Sequence, residues 1–198
     1  MKSIFIALFA FASLSLVPTR TYAQRAMVVP RSLDQLTQES SVIVHAYVAS
    51  TKFEPHPKLK NLMTEVVSLR VVETYKGRTQ KKLVFRQYVW DLGAQANSAD
   101  YHKGQELVLL LRPVSEYGLT SPVGLEQGRF QISRDRKGQI TAINGRGNLG
   151  LFNSVEPRAR NQGVQLSAKT LALARKTTAG PIPLADLEEA IRTFAGVR

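Results

Sequence analysis

Cysteine is absent from this 198-residue sequence. The absence excludes disulfide bonds, thiolate metal ligands, a catalytic thiol and a thiol-based redox role. It also excludes a lipoprotein signal, which needs a cysteine at the cleavage point. We therefore expect the fold to be stabilised by an ordinary hydrophobic core, which a chain of this length can supply.

Long apolar runs are scarce as well. The run near the amino terminus, from Ile4 to Val17 ("IFIALFAFASLSLV"), is shorter than the roughly 20 residues that a transmembrane helix needs. It follows a short positive start and precedes Pro18 and a small-residue cleavage site ending at Ala23. This order is typical of a secretory signal peptide, and the short run disfavours the alternative of a membrane anchor. The sequence thus predicts a signal peptide over residues 1–23, a secreted or periplasmic protein beginning at Gln24, and no transmembrane segment after signal removal.

Acidic residues are few: 15, against 27 lysines and arginines, for a net charge of +12. Loss of Lys2 and Arg20 with the signal lowers this charge from +12 to +10. A basic exported protein adheres to anionic surfaces. We expect its partner to be an anionic envelope component or an exported protein. Because the basic residues are spread along the chain, nonspecific adhesion is the alternative explanation.

Strands dominate the predicted secondary structure. In the segment "TEVVSLRVVETYKG", Val67, Leu69 and Val71 alternate with Ser68 and Arg70, which predicts a half-buried strand. The run "LVLLL" is apolar on both faces and is expected to be central. A hairpin is predicted around "RDRKG". Further β-rich segments cover residues 41–53, 81–90, 105–114, 128–133 and 139–144. This spacing predicts a mainly β fold, namely an antiparallel barrel or sandwich, and we favour the small barrel.

Helices are predicted only near the two ends. Ser32 and Gln35 have capping-box spacing and begin a short helix that ends near Ser40. At the other end, an amphipathic helix is indicated by a stripe of apolar residues and a glycine stop, namely Leu184, Leu187, Ile191, Phe194 and Gly196. Residues 157–183 contain no acidic residue before Pro183 and are predicted to be a mobile basic linker in which "SAKTLALARK" forms a marginal helix. The predicted division is therefore 24–156 for the barrel domain, 157–183 for the linker and 184–198 for the carboxy-terminal helix.

Five segments carry a resemblance to a known group: "SLDQLTQESS", "VIVHAYVAS", "TEVVSLRVVETYKG", "GQELVLLL" and "VGLEQGRFQI". In the order and rhythm of these segments, the sequence resembles an uncharacterised family of small exported bacterial proteins. The resemblance implies an OB-like or netrin-like β-barrel, that is, one of the oligonucleotide/oligosaccharide-binding or netrin kind, and it implies no reaction. Netrin-like inhibitors of metalloproteases reach the zinc through a cysteine-linked amino terminus, and this chain departs from them in having no cysteine.

Motifs for catalysis and cofactor binding are missing. His45, His56 and His102 do not have the HExxH spacing that places two zinc ligands on one helical face. There is no GxSxG nucleophile elbow. The glycines of "GRGNLG" are not followed by a convincing helix, so we interpret them as a turn and not a phosphate-binding loop. We predict no catalytic residue, no metal site and no cofactor.

Two groups of residues remain as candidates for ligand binding. Arg86, Tyr88 and Trp90 alternate along one predicted strand and therefore share a face. A basic residue beside two aromatic rings can stack bases or sugars, although packing is the commoner role of aromatic residues in strands. The second group lies on the predicted hairpin and could contact an anion, or be a solvated turn; it consists of Arg134, Arg136 and Lys137.

These observations favour a non-catalytic binding or interaction module of the bacterial cell envelope, with its ligand undetermined. One alternative is a netrin-like inhibitor of an exported protease. Another is a hydrolase whose site is assembled from the long loops. An exposed aromatic groove, a protruding edge near the mature amino terminus, or a histidine–carboxylate cleft would distinguish the three.

Overall fold

A computed structural model describes residues 29–89, 101–176 and 179–196. The predicted signal peptide and Trp90 lie outside these residues. The first elements are α1 (Leu33–Glu39), β1 (Val42–Pro55), β2 (Met63–Lys76), β3 (Lys82–Tyr88) and β4 (Glu106–Leu111). A 3₁₀ helix (Leu125–Gly128), β5 (Arg129–Arg134) and β6 (Ile140–Asn144) follow. The chain continues with α2 (Val155–Asn161), α3 (Ala168–Lys176), β7 (Ile182–Pro183) and α4 (Leu184–Ala195).

The seven strands form one antiparallel sheet in the order β3-β2-β1-β4-β5-β6-β7. The predicted mainly β class is confirmed, and β4 occupies the central position, with five of its six residues buried. The hairpin around "RDRKG" is also confirmed, because β5 pairs with β6 and Gly138 turns with a φ of 81°. The α1 cap is present as well, with the Ser32 backbone N–H donating to Gln35 Oε1 at 3.0 Å.

Closure into a barrel is not observed, so this part of the prediction is corrected. The sheet is open, with β3 and β7 at its edges. A barrel needs its edge strands to pair along their length. In the described part of the chain, the outer edge of β3 receives a single backbone hydrogen bond, from Thr120 N–H to the Arg86 carbonyl at 2.9 Å.

Apolar side chains form one cluster on each face of the sheet. The inner cluster lies on β1–β4 and includes Val44, Val67, Leu69, Phe85 and Leu109. The outer cluster lies between the sheet and the helices and includes Leu36, Ile43, Phe130, Leu187 and Ile191. Burial on both faces explains the continuous apolar run of β4, because alternate residues of that strand enter alternate clusters.

The segment 157–183 does not have the structure of a linker, which corrects that prediction. It contains most of α2, all of α3 and both residues of β7. Arg158 of α2 binds Asp34 of α1, with Nε to Oδ2 at 2.6 Å and Nη2 to Oδ1 at 2.9 Å. Asn148 Nδ2 donates to the Gly180 carbonyl at 2.9 Å, next to the pairing of β7 with β6. The positive charge of this segment, predicted to be a mobile basic linker, is thus partly used to bind an acid near the other end of the described chain.

Candidate binding site

The outer edge of β3 faces the segment that follows β4, residues 112–122, and we call the gap between them the seam. Thr120 crosses the seam through its hydrogen bond to Arg86. The segment is also attached to β4, because Arg112 N–H donates to the Ser121 carbonyl at 3.0 Å and Leu111 pairs with Pro122. Backbone hydrogen bonds therefore hold residues 112–122 beside both β3 and β4.

His56 fixes the same segment from a second side. Its Nε2 donates to the Tyr117 carbonyl at 2.7 Å. Its Nδ1 accepts the backbone N–H groups of Lys58 and Leu59 at 3.2 and 3.0 Å. The ring is buried, so this histidine acts as a cross-link between two loops and not as an exposed ligand for a metal or substrate.

An apolar cavity of about 250 Å³ opens at the seam. Its walls come from both faces of β3, from the start of β1, from the end of β4 and from residues 112–120. The apolar lining includes Val42, Val66, Leu83, Val84, Phe85 and Val114. The cavity exists because the sheet does not close there, and it reaches Phe85 of the inner cluster. Cavities of this size and polarity can accept an apolar side chain or a small apolar ligand.

Positive groups surround the cavity. Arg86 and Arg112 both contribute to its lining. Arg86 is already paired, since its Nη2 lies 2.6 Å from Glu54 Oε1 and its Nη1 lies 2.6 Å from Thr64 Oγ1. Hydrogen bonds from Lys52 and Arg86 hold the pKa of Glu54 below its usual value. Arg112 is exposed and lies 3.8 Å from Glu39, which leaves it accessible to solvent at the rim.

The two predicted ligand-binding groups occupy separate places. Arg86 lines the cavity, and Tyr88 shares its face of β3 with 40% of its surface exposed. The residues of the hairpin group are exposed at the β5–β6 turn, and three strands lie between β3 and β5 in the sheet order. This group consists of Arg134, Arg136 and Lys137. In that turn, Asp135 Oδ1 accepts two backbone N–H groups at 2.8 Å, so the acid inside the basic run shapes the hairpin. The structure therefore does not bring the two groups together.

A buried polar cluster lies beneath α4 on the other face of the sheet. His45 Nε2 lies 2.9 Å from Glu106 Oε1, and its Nδ1 lies 3.2 Å from Glu188 Oε1. The Tyr75 hydroxyl donates to the same Glu188 oxygen at 2.7 Å. Arg192 lies over the Tyr75 ring, 5.0 Å from its centroid. The sequence placed His45 in a strand but gave no sign of these partners, which come from β2, β4 and α4.

The surroundings of His45 and Glu188 favour the charged form of each side chain. Burial lowers the pKa of His45, but hydrogen bonds and charges from Glu188 and Glu106 outweigh that effect, so its pKa lies above the ordinary value. Burial raises the pKa of Glu188. Hydrogen bonds from His45 and Tyr75 outweigh burial, so the pKa of Glu188 lies below its ordinary value. Both ring nitrogens of His45 are held by carboxylates. We interpret the cluster as the attachment of α4 to the sheet, because neither nitrogen is available to activate a nucleophile.

Within residues 29–89, 101–176 and 179–196, no group of three or more histidine, cysteine, aspartate or glutamate side chains could hold a metal ion. His102 is exposed. In the same ranges, none of the helices is long and apolar enough to cross a membrane.

The seam cavity was not predictable from sequence, because its walls come from segments far apart in the chain. Arg86 alone among the lining residues belongs to a predicted ligand-binding group. No protein-family model, no curated protein and no solved structure matches this chain.

Proposed function

We propose that the protein is an exported, non-catalytic binding module of the cell envelope that holds an apolar group in the seam cavity. The observation that supports this function is an open apolar cavity of about 250 Å³ beside the outer edge of β3, where β3 pairs with no other strand of the described residues. The positive rim favours a ligand or partner that also carries negative charge.

We also propose that strands β1–β4 correspond to the strands of an OB-like or netrin-like barrel. The support for it is the inner apolar cluster, which these four strands share. Thr120 partly covers the outer edge of β3 through its hydrogen bond to Arg86. A ligand at the seam would then occupy the position where a closed barrel has strand pairing.

Export is proposed on the amino-terminal pattern alone. We expect amino-terminal sequencing of the protein recovered outside the cytoplasm to begin at Gln24, because the apolar run and the small-residue site at Ala23 have the layout that signal peptidases cleave. Recovery of the chain with Met1 intact in a membrane pellet would contradict export.

Binding at the cavity can be tested with anilinonaphthalene sulfonate, a dye that combines an apolar ring system with one negative charge. Val114 lines the cavity and has 64% of its surface exposed. We expect Val114→Asp to weaken dye binding roughly tenfold, about 1.4 kcal/mol, because a carboxylate makes the wall polar and repels the sulfonate. Fluorescence titration of the folded protein measures the change.

Leu149→Asp is the matched control. Leu149 is an exposed apolar residue with 57% of its surface accessible, and it lies in the turn after β6, away from the cavity lining. The substitution makes the same change of charge, so dye binding is expected to stay at the wild-type level. An equal loss in both variants would show that the dye responds to net charge, and the seam would then not be its site.

A further inference from the structure

The free side of β3 has a defined set of backbone groups. Val71 N–H donates to the Lys81 carbonyl, and Val89 N–H donates to the Met63 carbonyl. The backbone N–H and C=O groups of the odd-numbered residues of β3 therefore point toward β2. Thr120 bonds the carbonyl of Arg86 from the opposite side. Because backbone groups alternate along a strand, the N–H and C=O of Val84 also point away from β2.

These groups are available for pairing. Within the described ranges, no backbone hydrogen bond reaches Val84 from outside the β2–β3 pair. An edge that presents free N–H and C=O groups can accept an added strand. Val84 also has 50% of its surface exposed and lines the seam cavity. An added strand, lying about 4.8 Å from β3, would therefore pass over the mouth of the cavity.

The charge of this edge selects among possible occupants. Residues 78–88, "RTQKKLVFRQY", contain four basic residues and no acid. Pairing of two copies through this edge would bring Lys82 of one copy opposite Arg86 of the other, and like charges placed directly opposite are destabilising. An acidic strand would instead be attracted by Lys82 and by the exposed Arg112 across the seam.

From these observations we infer that the part of the outer edge of β3 at residues 82–84, which Thr120 does not bond, binds an extended acidic peptide as an additional antiparallel or parallel strand. One apolar side chain of that peptide enters the seam cavity, and its acidic residues lie near Lys82 and Arg112. The inference rests on the proposed binding function, since it names the class of partner that the cavity would take.

The test uses a fluorescent peptide, Glu-Thr-Val-Ile-Val-Thr-Glu, and the full protein. Val84→Pro removes the outward N–H without removing a hydrogen bond to β2, because proline is tolerated on an edge strand where the N–H faces solvent. We expect peptide binding to weaken about tenfold or more through the loss of backbone pairing and the restricted ring. Val84→Thr, which keeps the N–H and the β-branched shape, is expected to bind within about threefold of wild type.

Two altered peptides keep the test independent of how Val84→Pro folds. A peptide with N-methyl groups on alternate residues cannot form the ladder of backbone hydrogen bonds and is expected to lose binding to the wild-type protein. A peptide with lysine in place of glutamate is expected to bind more weakly, with the difference shrinking at high salt. Equal binding of the parent and N-methylated peptides would overturn strand addition.

The outcomes separate this inference from the function on which it rests. If the wild-type protein binds the dye but not the peptide, strand addition is overturned and the cavity function stands. If it binds neither, both fail. If the protein forms concentration-dependent dimers that Val84→Pro abolishes, the edge binds a second copy and the acidic peptide is the wrong occupant. Loss of peptide binding in Val84→Pro with dye binding retained supports the inference.

Discussion

Replacing Val67 with aspartate is expected to remove a large part of the protein's stability, about 3–5 kcal/mol of its free energy of unfolding. Val67 lies in β2 opposite Phe85 of β3, and both side chains enter the inner cluster. Val67 has no exposed surface. An uncompensated buried charge costs about 3–5 kcal/mol, which is a large part of the roughly 5–15 kcal/mol by which domains are stable.

Val72→Asp provides the matched comparison within the same strand. Val72 has 52% of its surface exposed, so an aspartate there remains hydrated. We expect its free energy of unfolding to fall by about 0.5 kcal/mol or less, the usual range for surface substitutions. Urea titration followed by circular dichroism measures both variants, and equal losses of stability would show that the inner face of β2 is wrongly assigned.

Arg158→Ala is expected to produce the second large effect, a loss of about 3 kcal/mol in the free energy of unfolding, since removal of one partner leaves a buried charge unpaired. Asp34 has 5% of its side chain exposed. Arg158 binds both of its carboxylate oxygens, and the same guanidinium also contacts Ser32 and donates to the Asn153 carbonyl at 2.8 Å. The loss would demonstrate that the first residues of segment 157–183 support the fold.

The pH dependence of this loss has a defined sign. Burial raises the pKa of Asp34, but its hydrogen bonds with Arg158 and Ser32 leave the pKa below the ordinary value of 3.8. A lowered pKa contributes stability above 3.8, and this contribution disappears as the pH falls through the lowered pKa of the folded state. The difference between wild type and Arg158→Ala should therefore shrink in acid.

Arg160→Ala tests whether charge alone explains the effect. Arg160 lies in the same helix with 79% of its side chain exposed, 3.4 Å from Glu156. Exposed ion pairs contribute about 0–1 kcal/mol. If Arg160→Ala destabilises the protein as much as Arg158→Ala does, the link between α1 and α2 is not the cause.

Patterns confined to one segment predicted their structures well. The alternation around Val67 and Leu69 correctly assigned the buried face of β2. The stripe of α4 is confirmed at Leu187 and Ile191, which are fully buried. Such patterns succeed because side-chain direction follows the period of the element itself. The glycine at position 138 was informative for the same reason, as the turn there requires a positive φ.

Features that depend on distant segments were not predicted. The pairing of His45 with Glu188 joins β1 to the last helix, and nothing near either residue in sequence indicates it. The open sheet is a similar case, since strand rhythm does not reveal whether two edges meet. The candidate site is therefore less predictable than the fold class: Arg86 was identified, but the cavity depends on how residues 112–120 approach β3.

The attachment of α4 also determines when the core can be completed during synthesis. Glu188 hydrogen-bonds Tyr75 across 113 positions of the chain. Until the ribosome has released α4, the side chains of the sheet that pack against Leu187 and Ile191 have no cover. Contacts of such long sequence separation slow folding. The helix-covered face of the sheet can therefore be completed only after the chain as far as α4 is free to fold.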